Sequence, residues 1–227
     1  MLPSFEPMRL AHLRQPFDHK DWLFELKYDG FRALACVENG SARLVSRRQN
    51  AYKTFDKLCG HIVQCLRVEN AILDGEIVSL GKDGRPRFDD LLRRRSPQYF
   101  YAFDLLWLNG RDLRELPLIE RKRMLRRIIP KRRSVLFAKH VEGTGVSLFH
   151  AACEMDIEGI VAKWKSAPYR MDGSRTSWVK IKNPNYSQAE GRGELFEKFN
   201  SPQVTSRSVQ QQAAGSKEKP RSLSGAQ

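Results

Sequence analysis

The chain has 227 residues and a formal charge of +14 at neutral pH, from 40 lysines and arginines against 26 acids. That length suits one domain with an appendage, and the basic excess points to a polyanionic partner, with nucleic acid favoured over a membrane surface. No apolar run reaches the ~20 residues that span a bilayer, the start MLPSFEPMRLAHLRQPF lacks the apolar stretch of a signal peptide, and four scattered cysteines exclude a disulfide scaffold.

In chain order, Trp22–Tyr28 and Phe31–Val37 read as strands separated by the turn signal Asp29-Gly30, and Glu38–Gly40 turns the chain into Ala42–Ser46. Together they predict a three-strand meander. Residues 54–67 predict an amphipathic helix, with Phe55, Leu58, Cys59, Ile62 and Leu66 on one stripe. That stripe makes Cys59 core filling and argues against a metal site in CGHIVQC. Ala71–Leu80 is a strand pair or a bent strand around Asp74-Gly75. A short helix over Phe88–Arg95 precedes an aromatic-rich buried strand over Tyr99–Leu108, which Asn109-Gly110 turns. Leu118–Ile129 predicts a helix, Val135–Lys139 a strand, Val146–Met155 a helix, and Glu158–Lys165 and Ser177–Lys182 strands.

Antiparallel runs of strands with helices between them predict an α+β fold rather than a doubly wound parallel sheet. After Tyr186 the composition changes. Leu195, Phe196 and Phe199 suit a docking segment within 188–199, and residues 200–227 read as a disordered polar tail.

There is no P-loop, no dinucleotide fingerprint and no nucleophile elbow. What remains is a set of lysines and carboxylates at strand ends. Glu25, Lys27 and Asp29 alternate with Phe24, Leu26 and Tyr28, so one strand face reads acid, base, acid. By itself this is the pattern of a solvated strand edge. A lysine nucleophile needs neighbouring cations or desolvation to release its proton near neutral pH, and Lys180 and Lys182, on one face of WVKIK, supply candidate cations. Arg32 and Arg47 suit phosphate oxygens, Glu76 and Glu158 suit Mg²⁺, and Phe103 offers a flat ring for a base. Glu158 and Lys163 are five residues apart, so either Glu158 precedes the strand or a bulge intervenes.

The stretches ELKYDGFR, SRRQN, LDGEIV, YAFDLLWLNGRDL, EGIVAKWKSAPYR and WVKIKNP occur in this order. As an ordered set they resemble the motifs of covalent nucleotidyltransferases, and in their particular forms the ATP-dependent DNA ligases of the bacterial repair and end-joining type. The resemblance covers about residues 5–187. It implies a nucleotidyltransferase (ATP-grasp-like) fold over 1–187, with mainly antiparallel sheets flanked by helices. It implies that Lys27 attacks the α-phosphate of ATP to form a lysyl-AMP, which is passed to nicked duplex DNA. It also implies roles for Glu25 near the adenine edge, Arg32 and Arg47 on phosphate or the nick, Glu76 on ribose or metal, Phe103 stacking on adenine, Glu158 on Mg²⁺ or Mn²⁺, and Lys163, Lys180 and Lys182 on phosphates. Gln49 stands where the family tends to have Gly, which leaves Arg48 as an alternative to Arg47. The family's oligonucleotide-binding clamp after WVKIK has no counterpart among the ~40 residues that follow, fewer than a small barrel needs. The resemblance therefore implies a monomeric catalytic domain in the bacterial cytoplasm, associated with the nucleoid, with a separate DNA-binding or end-joining protein as a partner. An RNA ligase or GTP-using capping enzyme, and a non-catalytic DNA-binding subunit, are the alternatives. The helix ERKRMLRRIIPKRR, Glu120–Arg133, presents Arg121, Lys122, Arg123, Arg126 and Arg127 off its apolar stripe, either to solvent or to a phosphate backbone.

Overall fold

The computed structural model describes residues 1–130, 134–170 and 176–189. The expected tail 200–227 and all but the start of the expected docking segment lie outside them. The compact unit Met1–Ala189 contains two sheets. The first has the order β1 (Ala11–Leu13), β11 (Trp178–Lys182), β10 (Gly159–Trp164), β2 (His19–Leu26), β9 (His140–Gly143). The second has the order β4 (Ser41–Ser46), β3 (Phe31–Glu38), β5 (Asn70–Ser79), β6 (Gln98–Leu108), β7 (Arg111–Asp112), with β8 (Val135–Phe137) also pairing with β6. Pairing is antiparallel apart from β1 with β11 and β6 with β8, which is the α+β architecture expected.

Helices α1 (Asp56–Cys65), α2 (Phe88–Arg93) and α3 (Leu118–Ile128) cover one face of the second sheet. Leu58, Ile62, Phe88, Leu91 and Leu125 pack there against Ala33, Ala35, Leu73, Ile77 and Phe100. Helix α4 (Gly145–Glu154) covers the far face of the first sheet, with Ala152 and Leu148 against Phe24, Ile160, Ala162 and Ile181. A third core draws Leu23, Val161 and Trp178 from the first sheet and Leu34, Ile72, Phe103 and Leu106 from the second. The two sheets therefore face one another, and the inner faces of β2, β10, β11, β3, β5 and β6 line the space between them.

Two departures from the expected elements bear on the site. Asp29-Gly30 is not a hairpin turn: β2 pairs with β9 and β10, whereas β3 pairs with β4 and β5. The segment carries the chain from one sheet to the other. Gly30 is needed for close approach, since a Cβ there would lie 2.1 Å from the Ile77 carbonyl oxygen. At Asp74-Gly75 the chain makes one strand rather than a strand pair, with its register against β6 shifting there. β5 runs through it, and a Cβ on Gly75 would lie 2.4 Å from the Phe100 ring. The sequence signal of a glycine is the same for a turn and for a tight packing contact. By contrast Asn39-Gly40 is the tight hairpin expected, with both residues at positive φ (51° and 69°).

Candidate active site

Lys27 follows β2 directly, and its backbone N–H donates to the Gly159 carbonyl at 2.9 Å. Gly159 is the register partner of Lys182. One step along the same face, Val161 lies between Glu25 and Lys180; a further step places Lys163 between Leu23 and Trp178. Side chains on one rung share a face, with adjacent strands about 4.8 Å apart. Of the expected acid–base–acid face only Glu25 lies on the strand itself, which ends at Leu26, and the segment is no solvated edge: Glu25 and Asp29 are 3% and 2% exposed. WVKIK is not an edge strand either, since β11 is flanked by β1 and β10.

Lys27 Nζ lies 2.5 Å from Glu158 Oε2, and Lys182 Nζ lies 3.6 Å from Glu158 Oε1. Glu158 stands before the first residue of β10, and Gly159, at φ +142°, joins the two. The spacing between Glu158 and Lys163 therefore needs no bulge in the strand. A carboxylate set off by one unusual glycine is brought back to the face its register would deny it.

The opposite wall comes from β3 and β5. Arg32 grips Asp74 with two hydrogen bonds, Nε to Oδ1 at 3.1 Å and Nη2 to Oδ2 at 2.7 Å. The Tyr169 hydroxyl donates to Asp74 Oδ2 at 2.6 Å and accepts from the Met8 N–H at 2.7 Å. Burial opposes the charge on Arg32, but Asp74 outweighs it and raises the guanidinium pKa above its ordinary value. Arg32 is thereby fixed in orientation, with its plane also over Phe103 and Trp178 at 5.4 and 5.5 Å. Glu76 is the cross-strand partner of Arg32. Burial pushes its carboxyl up to about 8, against the pull of Lys27 and Arg32, and the negative charges of Glu158 and Asp29 add to the rise. Lys27, Glu76, Glu158, Arg32 and Asp29 thus form one electrostatic neighbourhood. Among the described residues no three His, Cys, Asp or Glu side chains are gathered as a ready metal site.

A second cluster lies beside the first. Phe103 is the extra residue where the β5–β6 register shifts. Lys163 Nζ sits 4.2 Å over its ring and 3.8 Å over that of Trp178. Lys163 also pairs with Glu25 Oε2 at 2.7 Å, while Lys122 of α3 pairs with Glu25 Oε1. Burial lowers the Lys163 pKa to about 8; Lys122 adds to this and Glu25 opposes it. The ammonium of Lys163, 2% exposed, is engaged inside the protein, unlike that of Lys182, 49% exposed.

Arg47 and Arg48 are both exposed, on a tight turn closed by Ser46 N–H to Asn50 O at 2.9 Å. Arg47 acts electrostatically on Tyr52, as Glu76 does. Gln49 adopts φ +61°, the conformation that favours glycine, and its side-chain amide donates to the Phe5 carbonyl at 2.9 Å. The helix expected to display five basic residues splits in two. Arg123, Arg126 and Arg127 are exposed, but Arg121 and Lys122 are buried. Arg121 forms a fully buried bidentate pair with Asp104, both bonds 2.8 Å. The sequence gives no separate role to Asp74 or Gly159, and its pattern sets Arg121 and Lys122 toward solvent or a phosphate backbone rather than inside the protein. An ERK run carries no signal of burial; the acids at alternate positions of LDGE were the only pointer to Asp74.

Comparison with known proteins adds the decisive observation. The profile of the ATP dependent DNA ligase domain matches residues 7–182. The chain belongs to this family. Among relatives of this ligase domain, the SPbeta prophage-derived DNA ligase-like protein LigB of Bacillus subtilis is 26% identical over 189 residues, covering 80% of this chain and 68% of LigB. The multifunctional non-homologous end joining protein LigD of Pseudomonas aeruginosa is 30% identical over 191 residues, again 80% of this chain but 22% of LigD. A solved structure of mycobacterial DNA ligase D complexed with ATP and MES superposes with a TM-score of 0.67 at 29% identity, over 78% of this chain and 60% of that one. The ligase domain thus spans less than two thirds of the solved mycobacterial chain and about a fifth of LigD. ATP is the nucleotide named for the family, and the nucleotidyltransferase architecture is shared. Among the described residues no helix is long and apolar enough to cross a membrane.

Proposed function

We propose that the chain forms a lysyl-AMP at Lys27 and seals nicks in duplex DNA, in DNA repair by end joining. The observation that carries this reading is the Lys27–Glu158 contact of 2.5 Å beside Lys182, in a chain of the ligase family. A lysine must lose a proton before it attacks phosphorus, and the Glu158 carboxylate is within hydrogen-bond reach to take it. The N–P bond then forms as the bond from the α-phosphorus to the bridging oxygen breaks, and pyrophosphate leaves. Lys180 and Lys182 neutralise the leaving phosphates, Arg32 and Arg47 contact phosphate or the nick, and positioning rather than acid–base chemistry supplies most of the acceleration.

Phe103 and Glu25 bind the base in this reading, and Lys163 holds Glu25. Glu76 and Glu158 are oxygen donors of the kind Mg²⁺ or Mn²⁺ takes, as one or two carboxylates beside phosphates. The elevated Glu76 pKa fits an acid site that a cation would relieve. The bound ion would neutralise charge on the phosphates. A monomeric catalytic unit, working with a separate DNA-binding or end-joining protein, completes the reading.

The test is incubation with α-labelled ATP and Mg²⁺, then denaturation, with pre-adenylated nicked DNA assayed in parallel. Label on the wild type and none on Lys27→Ala is expected. A protein neither labelled nor able to seal the pre-adenylated nick refutes the enzymatic reading and favours a binding subunit. Preference for GTP, or for RNA nicks, moves it to another class of nucleotidyltransferase.

A further inference from the structure

Lys122 has no part in the chemistry proposed above, yet it is 1% exposed and its ammonium is aimed at the Glu25 carboxylate. Burying an ammonium costs several kcal/mol unless its partners compensate, and helix position 122 is otherwise suited to an apolar residue. The ammonium pairs with Glu25 and donates to the carbonyl oxygens of Ala138, at 3.0 Å, and Phe103, at 3.4 Å. One side chain of α3 therefore ties together the acid of β2, the register-shifted residue of β6 and the chain leaving β8. Other titratable groups around Glu25 are Lys163, paired with its second oxygen, His140, its register partner on β9, and Tyr101, which feels its charge. Arg121, next in sequence, does something different and holds α3 to Asp104 and to the Leu116 and Ala167 carbonyls.

We infer that Lys122 is a positioning residue for nucleobase selection, holding the Glu25 carboxylate so that its free lone pairs meet the amino edge of adenine. This rests on the reading of Glu25 as the base contact. Each carboxylate oxygen has one cation, Lys122 or Lys163, which fixes the group's plane and leaves acceptor capacity on both oxygens. An ionised carboxylate only accepts. It rewards the exocyclic amine of adenine and penalises the keto oxygen that guanine places at the same edge. Without Lys122 the carboxylate pivots about its remaining partner, and the Phe103 carbonyl loses a donor at the residue on which the base stacks.

The experiment measures covalent labelling of the full chain with ATP, GTP and purine riboside triphosphate, the last being adenosine triphosphate without the amino group. Wild type, Lys122→Met, Lys122→Arg and Glu25→Gln are compared. Loss of one charged hydrogen bond is worth about tenfold or more. Lys122→Met is therefore expected to raise KM for ATP about tenfold while changing KM for the purine analogue less than twofold, with kcat nearly unchanged. Lys122→Arg restores part of the preference, and Glu25→Gln loses it as Lys122→Met does. A Lys122→Met or Glu25→Gln protein with the wild-type ratio of ATP to analogue overturns the inference, whatever its absolute activity. Should Lys122→Met not fold, Glu25→Gln and Lys122→Arg decide by the same ratio. A wild type labelled by no nucleotide overturns the proposed function itself, which separates that failure from this one.

Discussion

Replacing Gly159 with alanine perturbs the site at its narrowest point. Gly159 is the middle of the rung that holds Lys27 and Lys182 in register, and it is the residue through which Glu158 reaches Lys27. A methyl group there would lie 2.1 Å from the Ile181 carbonyl oxygen and 2.9 Å from the Lys182 Cα, both parts of the backbone. Neither can swing aside as a flexible side chain does, so β10 and β11 must separate. Ordinary van der Waals contact requires a shift of more than 1 Å at this rung. The φ of +142° adds conformational strain for any residue with a Cβ. Strain of about 1–3 kcal/mol and overpacking of a similar size together give a loss of about 2–6 kcal/mol, a large share of the ~5–15 kcal/mol that holds a domain together. Displacing reacting groups by about 1 Å costs roughly a hundredfold in rate. Urea unfolding of Gly159→Ala against wild type measures the first effect. Single-turnover labelling with α-labelled ATP, below the unfolding midpoint, measures the second. A variant within about 1 kcal/mol of wild type that is also labelled at the wild-type rate would refute the reasoning, because the clash and the rung geometry would then not govern the site.

Two further predictions concern buried charges away from the reacting groups. Asp104→Asn leaves the Arg121 guanidinium, 0% exposed, without its anion; a loss of about 3–5 kcal/mol is expected, lowering Tm by about 10 °C, and Arg121→Met in the same chain should recover part of it. Wild-type Tm in the single variant would contradict this. Lys163, with its pKa lowered to about 8 from 10.5 by burial, binds fewer protons folded than unfolded between those values. Wild-type stability should therefore rise with pH across that window, by on the order of 3 kcal/mol. The stability difference between wild type and Lys163→Met, followed by denaturant titration from pH 7 to 10.5, should move in favour of wild type; a flat difference would show that the ammonium is not desolvated.

The strands that carry the site were legible because their patterns are local. Asn39-Gly40 forces a hairpin, the aromatic run Tyr99–Leu108 lies within one strand, and α1 follows its apolar stripe. The short strands β1, β7 and β9 were missed. The two-residue β7 pairs only with the end of β6, and β1 and β9 exist because an edge of the first sheet accepts them. Asp29-Gly30 carries the dipeptide signal of a hairpin turn, whereas the partners of β2 come from residues more than a hundred positions later. The basic helix misled for a related reason. Alternation between charged and apolar residues reports amphipathicity only where charges stay in solvent, and Asp104 and Glu25 supply buried partners that no local window contains.

The sequence by itself determined which chemical groups are present and in what order: a lysine before Asp-Gly, acids in LDGE and EGIVAK, paired lysines in WVKIK. Order and spacing of six segments are one-dimensional properties, so the family was readable without coordinates. Only the tertiary structure decided how those groups are divided. Lys27, Glu158 and Lys182 meet because Gly159 lets two backbones approach closely. Lys163, by contrast, turns inward to Glu25, and Lys122 joins it from a helix that looked like a solvated surface. Which charge faces a phosphate and which is buried against another charge depends on register, desolvation and partners distant in sequence, and those exist only once the two sheets face one another.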